Sequence, residues 1–348
     1  MAATFPLHQR LPQLHRALFE WWQAHGRVLP WRAKQTAPNE VEVEQPTGQT
    51  HTLQVREKAF QSYLATHLGR DPYHVVVAEL MLQQTQVDRV LPKYQAWMKN
   101  WPTLADLAKA QLSEVIIFWQ GLGYNRRARF LWLLAKVITD EHAGVWPTSE
   151  EELLKLPGLG KYTARAVLSF AFGHQVAVVD TNVKRVLRRV LEGKEASASQ
   201  VPTEKEWFQL ADSIIPTGQA DPWNQLIMDL GALVCTAKAP KCERCPIQDY
   251  CQAQQLALAL GFTTYREYLA SLPTVPRAKK GIRFEETDRY FRGRILDLLR
   301  ESPLPEEKLE QRLEEEFGLV DMARRQKLLS SLEKEGMIKR NGELLSLG

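Results

Sequence analysis

Four cysteines, Cys235, Cys242, Cys245 and Cys251, are the chain's whole supply, and they fall within seventeen residues at the spacing C-x6-C-x2-C-x5-C. A loop built this way closes on something. In a reducing compartment the cluster reads as thiolate ligands, and four thiolates suit either zinc or an iron–sulfur centre. Spacing alone does not separate the two. Two disulfides are the alternative, but Met1 to Arg16 lacks the apolar run and small-residue cleavage site of a secretion signal. No stretch approaches the about 20 apolar residues that cross a bilayer, so the chain reads as soluble and intracellular.

Upstream of the loop the apolar pattern is helical. Leu14, Leu18, Trp21 and Trp22 share one helix face, which stops near Gly26 and leads into the turn Leu29-Pro30-Trp31-Arg32. From about residue 33 to 70 the pattern weakens and reads as an insertion, with helical spacing from Leu53 to Leu68. Helical periodicity then runs from Tyr73 to about Leu260, so the class is all-α. A polar and basic linker, 273–286, precedes a second unit, 287–348, with helices near Asp288–Arg300, Glu306–Phe317 and Met322–Glu335. Asn341-Gly342 between short extended runs is a type I′ hairpin signal, which makes this unit winged-helix-like. With 348 residues, 44% of them hydrophobic, the chain has material for more than one such unit.

Net charge is only +4, so clustering matters more than the total. Lys184, Arg185, Arg188 and Arg189, and Arg126, Arg127 and Arg129, lean weakly toward nucleic acid. Thr148 and Glu151 stand at capping-box spacing, and the helix they start ends at Leu156-Pro157-Gly158-Leu159-Gly160 before another begins at Lys161. This is a helix-hairpin-helix, in which Gly158 and Gly160 let the backbone approach a ligand and the new helix start offers N–H groups to a phosphate. An ordinary helix connection with a capping glycine is the alternative. Asp180 stands where an N-cap belongs, ahead of Val183, Val186, Leu187 and Val190. Glu79 lies in Val75–Leu82, which has almost no polar face, so it needs a partner, a polar cavity or a raised pKa, the last being the state a general acid requires. A structural salt bridge would explain it equally.

The segments Met81–Val87, Gly121–Tyr124, Leu156–Ala164 and Val179–Val186, together with the four cysteines, occur in an order that resembles the adenine DNA glycosylase (MutY) family of the endonuclease III superfamily. The resemblance covers about Leu14 to Cys251 apart from the insertion. It implies a two-lobed helix-hairpin-helix fold, 1–272, with a 4Fe-4S cluster on residues 235–251. The partner it implies is double-stranded DNA containing a mispaired or damaged base, held by a monomer in a bacterial-type cytoplasm, at the nucleoid. The implied reaction is monofunctional hydrolysis of the N-glycosidic bond of adenine opposite 8-oxoguanine or guanine. Glu79 would protonate the adenine, and Asp180, with Asn182 beside it, would stabilise or trap the oxocarbenium-like sugar. Tyr162 occupies the position where bifunctional relatives carry a Schiff-base lysine, and Lys161 beside it does not match that position. Trp31, Arg32, Leu82 and Asp229 would surround the adenine, Gln84 and Tyr124 would enter the base stack, and Gly158, Gly160 and Lys161 would hold the backbone.

Three departures stand out. Asn125 follows Tyr124 where a second aromatic is usual in that family. The insertion separates Trp31-Arg32 from Asp71-Pro72-Tyr73. Well-known members end in a Nudix-like β domain that helps read 8-oxoguanine, whereas this chain does not. A mismatch thymine or uracil glycosylase of the same superfamily, or a non-catalytic DNA-binding protein, are the competing readings.

Overall fold

The computed structural model describes residues 7–32, 70–194, 201–272 and 282–348. In chain order the helices are α1 Leu7–His25, α2 Pro72–Leu82, α3 Val87–Asn100, α4 Leu104–Lys109, α5 Leu112–Phe118, α6 Arg126–Asp140, α7 Glu150–Leu153, α8 Lys161–Phe170, α9 Thr181–Leu187, α10 Glu204–Ser213, α11 Ala220–Leu233, α12 Gln252–Ala259 and α13 Tyr265–Ser271. The C-terminal segment adds α14 Asp288–Glu301, β1 Leu304–Pro305, α15 Glu306–Phe317, α16 Met322–Lys334, β2 Ile338–Asn341 and β3 Leu344–Leu347. The expected insertion lies outside the described residues, apart from Arg70, and so does most of the expected linker. The chain forms two compact units, Met1–Val75 with Thr148–Leu154 and Leu159–Thr274, and Val76–Pro147 with Lys155–Gly158 and Val275–Gly348.

In the first unit, Leu14, Leu18 and Trp22, one turn apart on α1, meet Val183, Val186 and Leu187 of α9 and Leu226, Ile227 and Leu230 of α11. Each large apolar side chain buried this way contributes about 1.5–3 kcal/mol before entropy is counted. Arg70, the last residue of the expected insertion, is buried. Its guanidinium pairs with the buried Asp221 and lies 5.3 Å from the Phe170 ring centroid.

In the second unit, the Trp97 ring meets Trp101, Phe118 and Trp119 edge-on, at 4.6, 5.5 and 5.7 Å. The C-terminal segment folds as three helices on a three-stranded antiparallel sheet of order β1-β3-β2. Its core, including Phe291, Ile295, Leu299, Leu309 and Leu345, is continuous with Leu112 and Ile116 of α5. Asn341 pairs with Leu344, leaving Gly342 and Glu343 as a two-residue loop in which Gly342 alone has positive φ, 62°. Glycine at the first central position is the type II′ pattern, not the type I′ turn that Asn341-Gly342 suggested.

Candidate active site and cluster loop

The hairpin helix α7 begins one residue later than its sequence indicated. Ser149, not Thr148, is the N-cap, accepting from the Glu152 N–H at 3.3 Å. At Gly158 φ is +77°, and an added Cβ would meet Phe130 Cβ at 2.5 Å, so both conformation and space demand glycine. Gly160 is different. It caps α8 with an ordinary φ of −92°, and a Cβ there would meet nothing within 4 Å. Neither conformation nor neighbouring atoms among the described residues require glycine there. Lys161 lies with Nζ 4.5 Å from the Phe208 ring centroid, and Tyr162 is half-buried on the same first turn.

Asp180 caps α9. Its Oδ1 accepts from the Val183 N–H at 2.7 Å and its Oδ2 from Asn182 Nδ2 at 3.0 Å. Both oxygens therefore face donors at the positive end of a helix, which fixes the carboxylate's direction. Asn182 is in turn held by Arg185 Nη2, at 2.9 Å. Glu79 stands on α2 among Val75, Val76, Val77, Ala78, Leu80 and Met81, all buried, and is itself 8% exposed. Leu82, half-buried, ends that helix.

Trp31 and Arg32, both buried, form the turn after α1. Arg32 grips Asp229 with both ends of its fork, at 2.8 and 2.9 Å. Asp229 also accepts from Trp22 Nε1 at 2.8 Å, from Arg27 Nε at 2.6 Å and from the Arg27 backbone N–H at 3.0 Å. Burial pushes the Asp229 carboxyl up, but the Arg32 and Arg27 guanidinium groups and their hydrogen bonds outweigh it and hold the pKa at about 2. Fully buried and saturated with donors, Asp229 has no oxygen left to offer a base. It holds Arg32 in place rather than lining a pocket as a contact residue.

Gln84 and Tyr124 sit at the tips of two turns, exposed, with left-handed backbones of φ 54° and 48°. Gln84 Oε1 accepts from the Tyr124 hydroxyl. Beneath them the buried Arg127 donates to the carbonyls of Leu80, Met81 and Gln83 on one turn, at 2.5–3.1 Å, and of Leu122 and Gly123 on the other, at 2.9 and 3.0 Å. Burial lowers its pKa to about 10, which leaves it charged at neutral pH.

The four thiols line one cavity with Arg189, Leu230, Val234, Pro240 and Tyr265. Burial pushes the Cys251 thiol up to about 11 and raises Cys242 and Cys245 as well, with neighbouring thiols adding to each. Such thiols ionise together only if a polyvalent cation holds them. Four thiols brought to one buried lining are the donor set of a thiolate-bound centre, and they fit an iron–sulfur cluster.

The basic clusters are only partly outward: Arg126 is exposed and Lys184 and Arg129 are half-buried, but the other arginines turn inward. Arg185, Arg188 and Arg189 are buried, at 9%, 0% and 1% exposure, and two of them hold the cluster loop. Arg189 donates to the Thr236 and Ala237 carbonyls at 2.7 and 2.9 Å and lies 3.6 Å from Cys235 Sγ. Arg185 donates to the Gly231 and Cys235 carbonyls, each at 2.8 Å. A π-helical turn, Arg188–Glu192, follows α9 and carries Arg188 and Arg189 inward. The signal was there: residues 185 and 189 fall one turn apart, beside the core positions Val186 and Val190.

Residues 77–210 match the HhH-GPD superfamily of base excision DNA repair proteins, and residues 235–251 match the iron–sulfur binding domain of endonuclease III. An adenine DNA glycosylase of Mycolicibacterium smegmatis is 36% identical over 276 residues, 79% of this chain and 87% of that protein. One from Mycobacterium tuberculosis is 37% identical over 327 residues, 93% of this chain and 89% of that protein. The chain belongs to the adenine DNA glycosylase family. It is thus a base excision repair enzyme that acts on adenine in DNA, and its cofactor is a 4Fe-4S cluster. The part of the chain outside the M. tuberculosis alignment is smaller than the C-terminal segment, so the family likeness reaches into that segment. The Homo sapiens adenine DNA glycosylase is 39% identical over 240 residues, but only 39% of its length is covered. In fold the chain resembles a thermostable thymine-DNA glycosylase, with a TM-score of 0.55 and 26% identity over 72% of this chain and 98% of that one. Among the described residues no helix is long and apolar enough to cross a membrane.

Proposed function

We propose that the enzyme acts as a monomer in the cytoplasm on double-stranded DNA, removing adenine mispaired with 8-oxoguanine or guanine. The observation that carries the chemistry is Asp180, held at a helix N-terminus with a donor on each carboxylate oxygen. Glu79 delivers a proton to the adenine ring as the bond from its nitrogen to the sugar C1′ breaks. Asp180 faces the cationic sugar, either shielding it or bonding to C1′ until water replaces it, and Asn182 keeps its direction. Trp31, Arg32 and Leu82 enclose the flipped base, with Asp229 acting through Arg32. Gln84 and Tyr124 fill the gap left in the stack, and the Gly158–Lys161 turn holds a DNA phosphate. Cys235, Cys242, Cys245 and Cys251 hold the cluster, which supplies a rigid cross-link for its loop. Residues 287–348 serve as a winged-helix-like domain after the 273–286 linker.

The test is a panel of duplexes incubated with one preparation of the whole protein: adenine opposite 8-oxoguanine, adenine opposite guanine, thymine opposite guanine and uracil opposite guanine. Base release confined to the two adenine duplexes is the expected result. Release of thymine or uracil in preference to adenine would transfer the site to the other mismatch class, and binding with no release of any base would make the chain a non-catalytic binder.

A further inference from the structure

The Tyr124 turn is gripped by the C-terminal segment at three successive residues. The Arg289 guanidinium, on the first turn of α14, lies 4.5 Å from the Tyr124 ring centroid and donates to its hydroxyl. Asn125 Oδ1 accepts from Arg300 Nη2 at 3.1 Å, and the same guanidinium bonds to the Ile116 carbonyl. Arg126 pairs with Glu335 at 3.3 Å. Asn125 is the position where a second aromatic was expected, and its amide oxygen is what Arg300 uses.

Arg289 itself is sandwiched. Its guanidinium carbon is 4.7 Å from the Phe284 ring centroid on top of the 4.5 Å to Tyr124, and Tyr124, Phe284 and Arg289 are all exposed. Its one hydrogen bond among the described residues is to Tyr124, so most of its five N–H groups point at solvent. Left-handed backbone at Gln84 and Tyr124 is costly and persists only where surroundings impose it. Here Arg127 imposes it from within and Arg289 braces the tip from outside. An exposed ladder of aromatic, cation and aromatic, with an amide at its edge, suits oxygen-rich acceptors and flat bases, which DNA offers together.

We infer that Arg289 is a DNA-contact residue of the C-terminal segment, completing with Tyr124, Gln84 and Phe284 the surface that meets the strand opposite the excised adenine. This deepens the substrate reading above and rests on it. The acceptor is a DNA oxygen, either a phosphate or the O6 edge of a guanine-type base, and the two separate in the test. The whole protein and the variants R289A, R289K and F284A are compared for equilibrium binding to the adenine–8-oxoguanine, adenine–guanine and fully paired duplexes over a salt series, with single-turnover excision measured alongside.

R289A is expected to bind about tenfold or more weakly with an unchanged melting temperature. A salt slope reduced by about one identifies a phosphate contact, with R289K restoring it. An unchanged slope with lost preference for the guanine-type partner identifies a base contact, which R289K does not restore because lysine lacks the stacked fork. F284A should fall between wild type and R289A. Binding and slope within twofold of wild type on every duplex would overturn the inference. So would tighter binding or faster excision by R289A, which would make Arg289 a clamp holding the turn back from DNA. Absence of excision by the unmodified protein counts against the substrate reading alone, because the binding comparison stands without it.

Discussion

Arg185 donates to Asn182 Oδ1 at 2.9 Å, while its other N–H groups reach the backbone carbonyls of Gly231 and Cys235. One buried guanidinium therefore ties the amide that faces Asp180 to the residue carrying the first cluster thiol. Arg185→Met should break both ends of this link. Hydrogen bonds to charged groups are worth about 1.5–3 kcal/mol, so single-turnover adenine release should slow by about 10–100-fold, and the visible absorbance of thiolate-bound iron should decay faster in air. Asn182→Ala cuts only the Asp180 end and should slow release while leaving the absorbance decay as in wild type. Equal cluster loss in both variants would show that the link is packing and nothing more.

Asp229 makes a second prediction, about acid. Its folded pKa of about 2 lies below its ordinary value of 3.8, so its contribution is fully present above about pH 4 and disappears as pH falls toward 2. The difference corresponds to roughly 2–3 kcal/mol. Denaturant midpoints of wild type should drop between pH 4 and pH 2.5, and Asp229→Asn should flatten that part of the profile. Asp229→Ala at neutral pH leaves the Arg32 charge buried without its partner, at a cost of about 3–5 kcal/mol. A neutral-pH midpoint within 1 kcal/mol of wild type would mean that Arg32 finds another acceptor.

The two carboxylates are tested by variants that keep their shape. Asp180→Asn retains an oxygen for the Val183 N–H but loses the charge, so duplex binding should survive while base release falls by about 10²–10⁴-fold. Glu79→Gln removes the proton donor and should give the same pattern of a folded, binding, inactive protein. Near wild-type excision by either variant sinks the role given to that residue.

How much of this was legible in sequence follows from how far each constraint reaches along the chain. The cysteine loop, the Asp180 cap and the helix-hairpin-helix are local: residue type, spacing and one turn of periodicity specify them. The arginines are not. A charge count cannot tell an inward guanidinium from an outward one, and only the placement of Arg185 and Arg189 next to core valines hinted that they point inside. Asp229 meets donors about 200 residues upstream, so nothing near it announces that its oxygens are already spent. The contact between Arg289 and Tyr124 spans 165 positions, and its one sequence trace was the unusual Asn125.

The last prediction concerns strand cleavage. A lyase needs an amine at the sugar carbon, and Tyr162, on the first turn of α8, is the residue that the family resemblance sets at the position of the bifunctional relatives' amine. Product DNA should keep an intact backbone until alkali is added, and borohydride present during turnover should trap little or no protein–DNA adduct, since it reduces an imine and not an aspartyl acetal. The nearest amine in sequence, Lys161, rests its ammonium 4.5 Å from the Phe208 ring centroid. Lys161→Ala should therefore leave whatever residual trapping exists almost unchanged while weakening DNA binding modestly. Tyr162→Lys is the gain-of-function arm: a new amine on the helix turn should form the imine and bring both trapping and nicking. Efficient trapping by the unmodified protein that persists in Lys161→Ala would point to a different attacking amine, and the monofunctional assignment would then be wrong.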